Sequence, residues 1–180
     1  MSVVMSNTGF PLETIRNAIT GDTFWEQYIQ KVNYDGDCTV ALHLAILSNP
    51  YFKLVLNGKK TLESRFSKDR RAPYQQVSKG DIILLKQSGK PIAGISLVED
   101  ASFIRLTAGS LGNIRDQFAE ELYIEADSFW TEKATASFAT ILRLTHVKST
   151  LPILFKKRDQ RAWVVLCSRR SQLPLPSQEW

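Results

Sequence analysis

The chain reads as an α+β protein: a small, mostly antiparallel barrel with flanking helices and an N-terminal helical extension. Three observations predict this. Five or six short β-rich segments are spread along the sequence, and only two later helical excursions interrupt them. The regular strand–helix alternation of a doubly wound sheet is missing, as is the continuous helical period of a bundle. One segment, Ile82 to Leu85, is apolar on both parities, as expected of a strand covered on both faces.

Pro11 to Ile19 and Thr23 to Val32 have helical spacing, with Phe24, Tyr28 and Val32 one turn apart and Asp22 or Thr23 placed to cap. Asn33-Tyr34-Asp35-Gly36-Asp37 then breaks the chain with turn-forming residues. These features predict an N-terminal helical extension over 1–38, a main domain over 39–167 and a mobile tail over 168–180. Thr39 to Leu47 reads as the first strand. Asn49 as cap, Pro50 at the first helical position, an apolar face of Tyr51, Leu54 and Val55, and Gly58 as a left-handed stop spell a short helix.

Thr61 to Phe66 is the next strand, with Thr61, Glu63 and Arg65 on one face and Leu62, Ser64 and Phe66 on the other. The charged face is expected to lie outside the core. A basic loop leads to Lys79-Gly80-Asp81, which opens the strand Ile82 to Gln87, and Ser88-Gly89-Lys90 turns the chain into a strand from Pro91 to Val98. Leu111, Ile114, Phe118 and Leu122 form a helical stripe from Ser110 to Ile124. A short helix follows to Lys133, with Asp127 or Ser128 as cap. The last strands are Ser137 to Val147 and Ala162 to Cys167.

Length, an apolar fraction of 43% and a charged fraction of 23% suit one ordinary globular domain. No apolar run reaches the roughly 20 residues of a membrane-spanning helix, and the N-terminus lacks a secretory pattern. A cytoplasmic location without membrane contact is expected. Cys38 and Cys167 have no CxxC spacing, so they are read as free thiols and no metal or cofactor is expected. Oligomeric state is not legible.

The net charge of +5 is unevenly distributed. Glu99 to Glu132 holds eight acids and two arginines, whereas Lys53 to Arg71 holds seven cations and two acids. Arg143 to Arg170 adds eight cations against Asp159 alone. Brought together in space, the basic segments would form a face that attracts phosphates. Lys59, Lys68, Arg70 and Arg71 are the candidates for a nucleic-acid backbone, with Lys156, Lys157, Arg158 and Arg161 as a second group.

At the centre of the first basic segment stands Asn57-Gly58-Lys59-Lys60-Thr61-Leu62-Glu63-Ser64-Arg65. It sets a lysine, a carboxylate and an arginine at a helix–strand junction. Taken alone, Lys60, Glu63 and Arg65 also read as an exposed charge ladder, whose pairs contribute about 0–1 kcal/mol. His43 and His146 share strand parity with apolar neighbours and read as structural. Trp25, Trp130 and Trp163 are expected to fill core contacts more readily than to stack bases.

Gly58, Lys60, Glu63 and Arg65 match all four positions of Gly-x-Lys-x-x-Glu-x-Arg, and on them the stretch Thr39 to Leu166 resembles the ASCH domain, a PUA-like barrel. The order of elements agrees, including Arg71-Ala72-Pro73-Tyr74 and Lys79-Gly80-Asp81. The resemblance implies a cleft at the barrel mouth, lined by the signature, that binds RNA or a nucleotide-like small molecule. Gly58, Lys60, Glu63 and Arg65 would line it. Lys86 at the end of its strand and Ser88 in the following turn are further candidates by position, because that end is expected to face the same mouth, and Glu121 or Glu125 on the acidic helix is a candidate second carboxylate with no family role assigned.

The family also contains reported ribonucleases and a branch of amidohydrolases acting on N4-acetylcytidine. A hydrolase reading would use Lys60 and Glu63 as catalytic groups. In the amidohydrolase branch a threonine nucleophile occupies the position of Glu63, and a carboxylate cannot replace a hydroxyl that forms an acyl-enzyme, so that mechanism does not transfer intact. A third reading is a protein-interaction module that presents the N-terminal helices.

Overall fold

A computed structural model describes residues 11–34, 38–107, 109–155 and 160–169. Six strands form one mixed sheet: β1 (Leu42–Leu47), β2 (Leu62–Ser67), β3 (Ile82–Gln87), β4 (Ile92–Arg105), β5 (Phe138–Ile153) and β6 (Trp163–Cys167). Their spatial order is β2-β5-β4-β3-β1-β6. Only β1 and β3 pair in parallel, with Leu42 opposite Ile82. The other pairings are antiparallel. The helices are α1 (Leu12–Ala18), α2 (Thr23–Tyr28), α3 (Tyr51–Leu56), α4 (Ser110–Leu122) and α5 (Asp127–Lys133), and a 3-10 turn over Ile29–Lys31 follows α2. The architecture is α+β with flanking helices as expected, and the mostly antiparallel sheet curls into a half-barrel.

Strands β4 and β5 are longer than the sequence pattern predicts because they pair with each other from Ile92 opposite Ile153 to Arg105 opposite Phe138. Cross-strand pairing carries the ladder through the exposed Asp100, opposite Arg143, in a stretch that hydropathy does not mark. The pairing is broken by register shifts at Ile92/Gly94, Ile95/Leu97 and Val98/Asp100. Each shift bends the ribbon and adds twist, and together they curl the sheet.

The curl leaves three apolar clusters. Ile15, Ile19, Trp25, Ile29 and Val32 pack with Leu42, Leu44, Ile82 and Leu84 on one face of the sheet. The opposite parity, Ala45, Leu47, Ile83 and Leu85, packs with Phe52, Val55, Leu142 and Trp163. This confirms why Ile82 to Leu85 is apolar throughout. The N-terminal helices, an extension in sequence, thus share their core with the sheet. The third cluster joins α4 and α5 to β2 and β5 through Ile114, Leu122, Trp130, Leu62 and Ile141.

Several boundaries differ from the sequence reading for local reasons. Strand β1 starts at Leu42, not Thr39, and the Ala41 amide is taken by Asp81 Oδ1 at 2.7 Å. The Asn49–Pro50 peptide is cis, and α3 begins at Tyr51 without a side-chain cap, so Asn49 does not cap it. Its buried residues are Phe52 and Val55, because Tyr51 turns toward the cleft described below. Asp127 is the first residue of α5, not its cap. Asp22 caps α2 as expected, accepting from the Trp25 amide at 3.0 Å. Of the tail expected to be mobile, residues 170–180 lie outside the described residues. Arg169 is held by Asp81 Oδ1 at 2.6 Å.

Gly94 tests the tightness of the curl. A Cβ there would stand 2.7 Å from Leu56 Cδ2 and 3.2 Å from Leu85 Cβ. Gly94→Ala is expected to lower stability by about 1–3 kcal/mol through overpacking between α3 and the sheet. Urea titration checks it, and an unchanged midpoint would show that Leu56 yields freely.

Candidate functional site

Gly58 builds the approach to the site. Its φ of 69° lets the chain reverse after α3, and the amides of Lys59 and Lys60 both return to the Leu54 carbonyl at 3.0 Å. Lys60 is thereby pinned one residue before β2. Its ammonium donates to the Leu62 carbonyl and lies 3.0 Å from Glu63 Oε2. Glu63 Oε1 receives Arg65 Nη2 at 3.0 Å.

Lys60 is 3% exposed and Glu63 7% exposed. This corrects the expectation that the charged face avoids the interior. Burial is tolerated because the carboxylate has a cation on each oxygen and the ammonium also has a carbonyl.

Arg65 reaches further. Its Nη2 donates to the Ile46 carbonyl at 3.1 Å and its Nη1 to the Ala162 carbonyl at 3.3 Å. Strands β2 and β6 are the two edges of the sheet, so this one side chain ties the open sides of the half-barrel together. The guanidinium also lies 5.4 Å from the Trp163 ring.

Between these edges opens a cleft of about 700 Å³. Lys60, Glu63 and Arg65 line it with the rings of Tyr51, Phe66, Phe129 and Trp163, and with Arg71, Lys133 and Arg161. Ser64, Ser67, Gln76 and Thr140 add neutral polar groups. Beneath Trp163 lies a buried relay. The indole N–H donates to His43 Nδ1 at 3.3 Å. An indole nitrogen can only donate, so Nδ1 accepts and the Nε2 proton faces Asp81 Oδ2 at 3.3 Å. Asp81 also accepts from the Ser78 amide at 2.7 Å. Burial pushes the Asp81 carboxyl up, but His43, the Ala41 amide and Arg169 outweigh it and hold the group below the usual carboxylate range.

Of the residues singled out from the sequence, Lys60, Glu63, Arg65 and Arg71 line the cleft, as does Arg161. Arg71 is paired with Asp69. Gly58 and Lys59 are exposed just outside the lining, and Lys68 and Arg70 are exposed beyond it. Lys86 is buried and donates to carbonyls of its own hairpin, at Gln87 and Lys90. Ser88 is exposed in that turn, and neither it nor Lys86 lines the cleft. Glu121 pairs with Arg143 at 2.5 Å outside the cleft, and Glu125 is exposed away from it. Trp25 and Trp130 fill core. His146, read as part-buried, is exposed and stacks on Phe24 at 4.2 Å. Lys156, Lys157 and Arg158 lie outside the described residues.

Sequence reasoning missed Tyr51, Phe66, Phe129 and Thr140 as cleft residues. Each sits on a different element, and no local pattern links them. Among the described residues, no group of three or more His, Cys, Asp and Glu side chains could hold a metal ion, and no helix is long and apolar enough to cross a membrane.

No family model and no curated protein matches this chain. Solved structures do. The ASCH protein from Zymomonas mobilis superposes with a TM-score of 0.55 at 16% identity, covering 72% of this chain and 89% of that one. A point mutant of that protein gives 0.56 at 17% identity, covering 69% and 87%. This chain has an ASCH-like fold. The cleft and its Lys–Glu–Arg triad sit on this half-barrel, where the edge strands β2 and β6 face each other.

Two outcomes are expected of the site's buried charges. Glu63→Gln preserves shape but leaves Lys60 and Arg65 without their anion, and should cost about 3–5 kcal/mol in chemical denaturation. A loss below 1 kcal/mol would mean that the carbonyls alone hold both cations. Asp81 supplies the pH dependence. Its folded pKa is depressed, so its stabilisation is complete above the unfolded value of about 3.9 and disappears as pH falls through the folded one. Asp81→Asn should lower the melting temperature at neutral pH and flatten its dependence below about pH 4, as read by thermal melts across a pH series.

Proposed function

We propose that this protein binds RNA or a nucleotide-like ligand in the cleft that contains Lys60, Glu63 and Arg65. One observation carries this reading. A single hollow combines aromatic walls, suited to a planar ring, with cations placed both on its floor and on its rim. A nucleotide has a stacking base and a charged phosphate, and the cleft offers each a partner. Tyr51, Phe129 and Trp163 would face the ring. Lys60, Lys133, Arg71 and Arg161 would face the phosphate, with Ser64 and Thr140 as neutral hydrogen-bonding groups.

The geometry favours capture over turnover. Both oxygens of Glu63 already face cations at 3.0 Å, so its evident task is to orient Lys60 and Arg65. Arg65 is itself committed to two main-chain carbonyls, which leaves the ammonium of Lys60 as the more available donor. The interaction-module reading finds less support, because Ile15, Ile19, Trp25 and Ile29 are buried in the protein's own core.

Binding is testable by fluorescence polarisation with a short single-stranded RNA and by calorimetry with a nucleoside monophosphate. Affinity for the RNA should fall steeply with salt, because the counterion release that drives binding becomes less favourable as salt rises. Lys60→Gln, confirmed folded by circular dichroism, should weaken both ligands by roughly 10- to 100-fold, the range for a hydrogen bond to a charged group. Lys133→Ala on the rim should reduce the salt slope by about one phosphate contact. Affinity that is flat in salt and indifferent to both substitutions would overturn the reading.

A further inference from the structure

A second constellation lies outside the cleft. Cys38 stands just ahead of β1 and Cys167 closes β6, where the register sets it opposite Leu42. Both are free cysteines, separated by 129 residues in sequence, and their sulfurs are 3.0 Å apart. A disulfide needs about 2.0 Å between sulfurs, so closure takes a movement of about 1 Å. Cys38 is buried and Cys167 half-buried, which leaves Cys167 as the sulfur nearer to solvent.

We propose that Cys38 and Cys167 form a modification site that takes a two-electron oxidant of the peroxide class and closes into an intramolecular disulfide. The Cys167 thiol donates to Cys38, and the Cys38 thiol, when protonated, donates to the Val40 carbonyl at 2.8 Å. As the acceptor of the Cys167 hydrogen bond, Cys38 is the sulfur on which the thiolate is favoured, while the same bond and burial push the Cys167 thiol up. That hydrogen bond also draws the Cys38 thiol down to about 6, so a thiolate is present at neutral pH.

In the first step the Cys38 thiolate attacks peroxide. A sulfur–oxygen bond forms, the oxygen–oxygen bond breaks, and the departing hydroxide is protonated to water. Cys167 then attacks the sulfenic sulfur, 3.0 Å away before the oxidation. The sulfur–sulfur bond forms, the sulfur–oxygen bond breaks, and hydroxide leaves as water with the Cys167 proton. Two thiols and one peroxide become one disulfide and two waters. The bond would staple the entry of β1 to the exit of β6, the edge strand that carries Trp163 into the cleft.

The full chain is exposed to hydrogen peroxide, denatured in the presence of a maleimide and analysed by intact mass and peptide mapping. The expected result is loss of two hydrogens, no label on either cysteine, and one peptide linking Cys38 to Cys167. Dithiothreitol should restore both labels. The same treatment of the urea-unfolded chain should close the bond about tenfold more slowly or worse, because the fold supplies the proximity. In Cys167→Ser, Cys38 should remain as a sulfenic acid that dimedone traps. Full labelling of both cysteines after peroxide, separate sulfinic acids without the linked peptide, or equal rates in the folded and unfolded chains would each overturn the proposal. The first two readouts need only the unsubstituted protein.

Discussion

The architecture hinges on one buried chain of charges, Lys60 to Glu63 to Arg65, that ends on the carbonyls of Ile46 and Ala162. A six-stranded sheet that curls without closing has two exposed edges, each a row of unpaired backbone groups. Here the edges face one another, and the guanidinium of Arg65 spans the gap. Glu63 holds that guanidinium in place, and Lys60 neutralises the other oxygen of the same carboxylate while binding the Leu62 carbonyl. The device both limits the opening of the half-barrel and furnishes the floor of its cleft. Structural and functional demands fall on the same three side chains.

Curvature supplies the space in which that device works. Register shifts along β4 and β5 bend the long central ribbon, and α3 packs Phe52 and Val55 inside the bend. Helices α4 and α5 cover β2 from the other side and bring Phe129 and Lys133 to the cleft. The N-terminal helices seal the far face with Ile15, Trp25 and Ile29. Each face of the sheet thus has its own apolar cover, and the polar groups gather where cover is missing, between the edges.

The relay from Arg169 through Asp81 and His43 to Trp163 shows how the far end of the barrel is linked to the cleft wall. The indole N–H thus has a buried partner in His43, which Asp81 backs from the other side. Trp163 in turn lies under the Arg65 guanidinium. The wall of the cleft is therefore held from beneath as well as from across the gap.

Much was determined by sequence alone. Turn residues and period marked the helices and all six strands, because punctuation and alternation are local properties read within a few residues. The Gly58-to-Arg65 signature identified the charged floor, since its spacing follows from a left-handed turn and a two-residue strand period. The tertiary structure alone decided three things: that Glu63 and Lys60 are buried, that Arg65 bridges β2 to β1 and β6, and that Tyr51, Phe66, Phe129 and Trp163 share a hollow. Burial of a charge depends on whether a counter-charge and a carbonyl arrive beside it. Those partners come from strands distant in sequence, brought close by a curl that no local pattern encodes. The same holds for Lys86 and Ser88, which the strand pattern suggested for the cleft and which the curl carries away from it, and for Cys38 and Cys167, remote in sequence and in contact only because β1 and β6 pair.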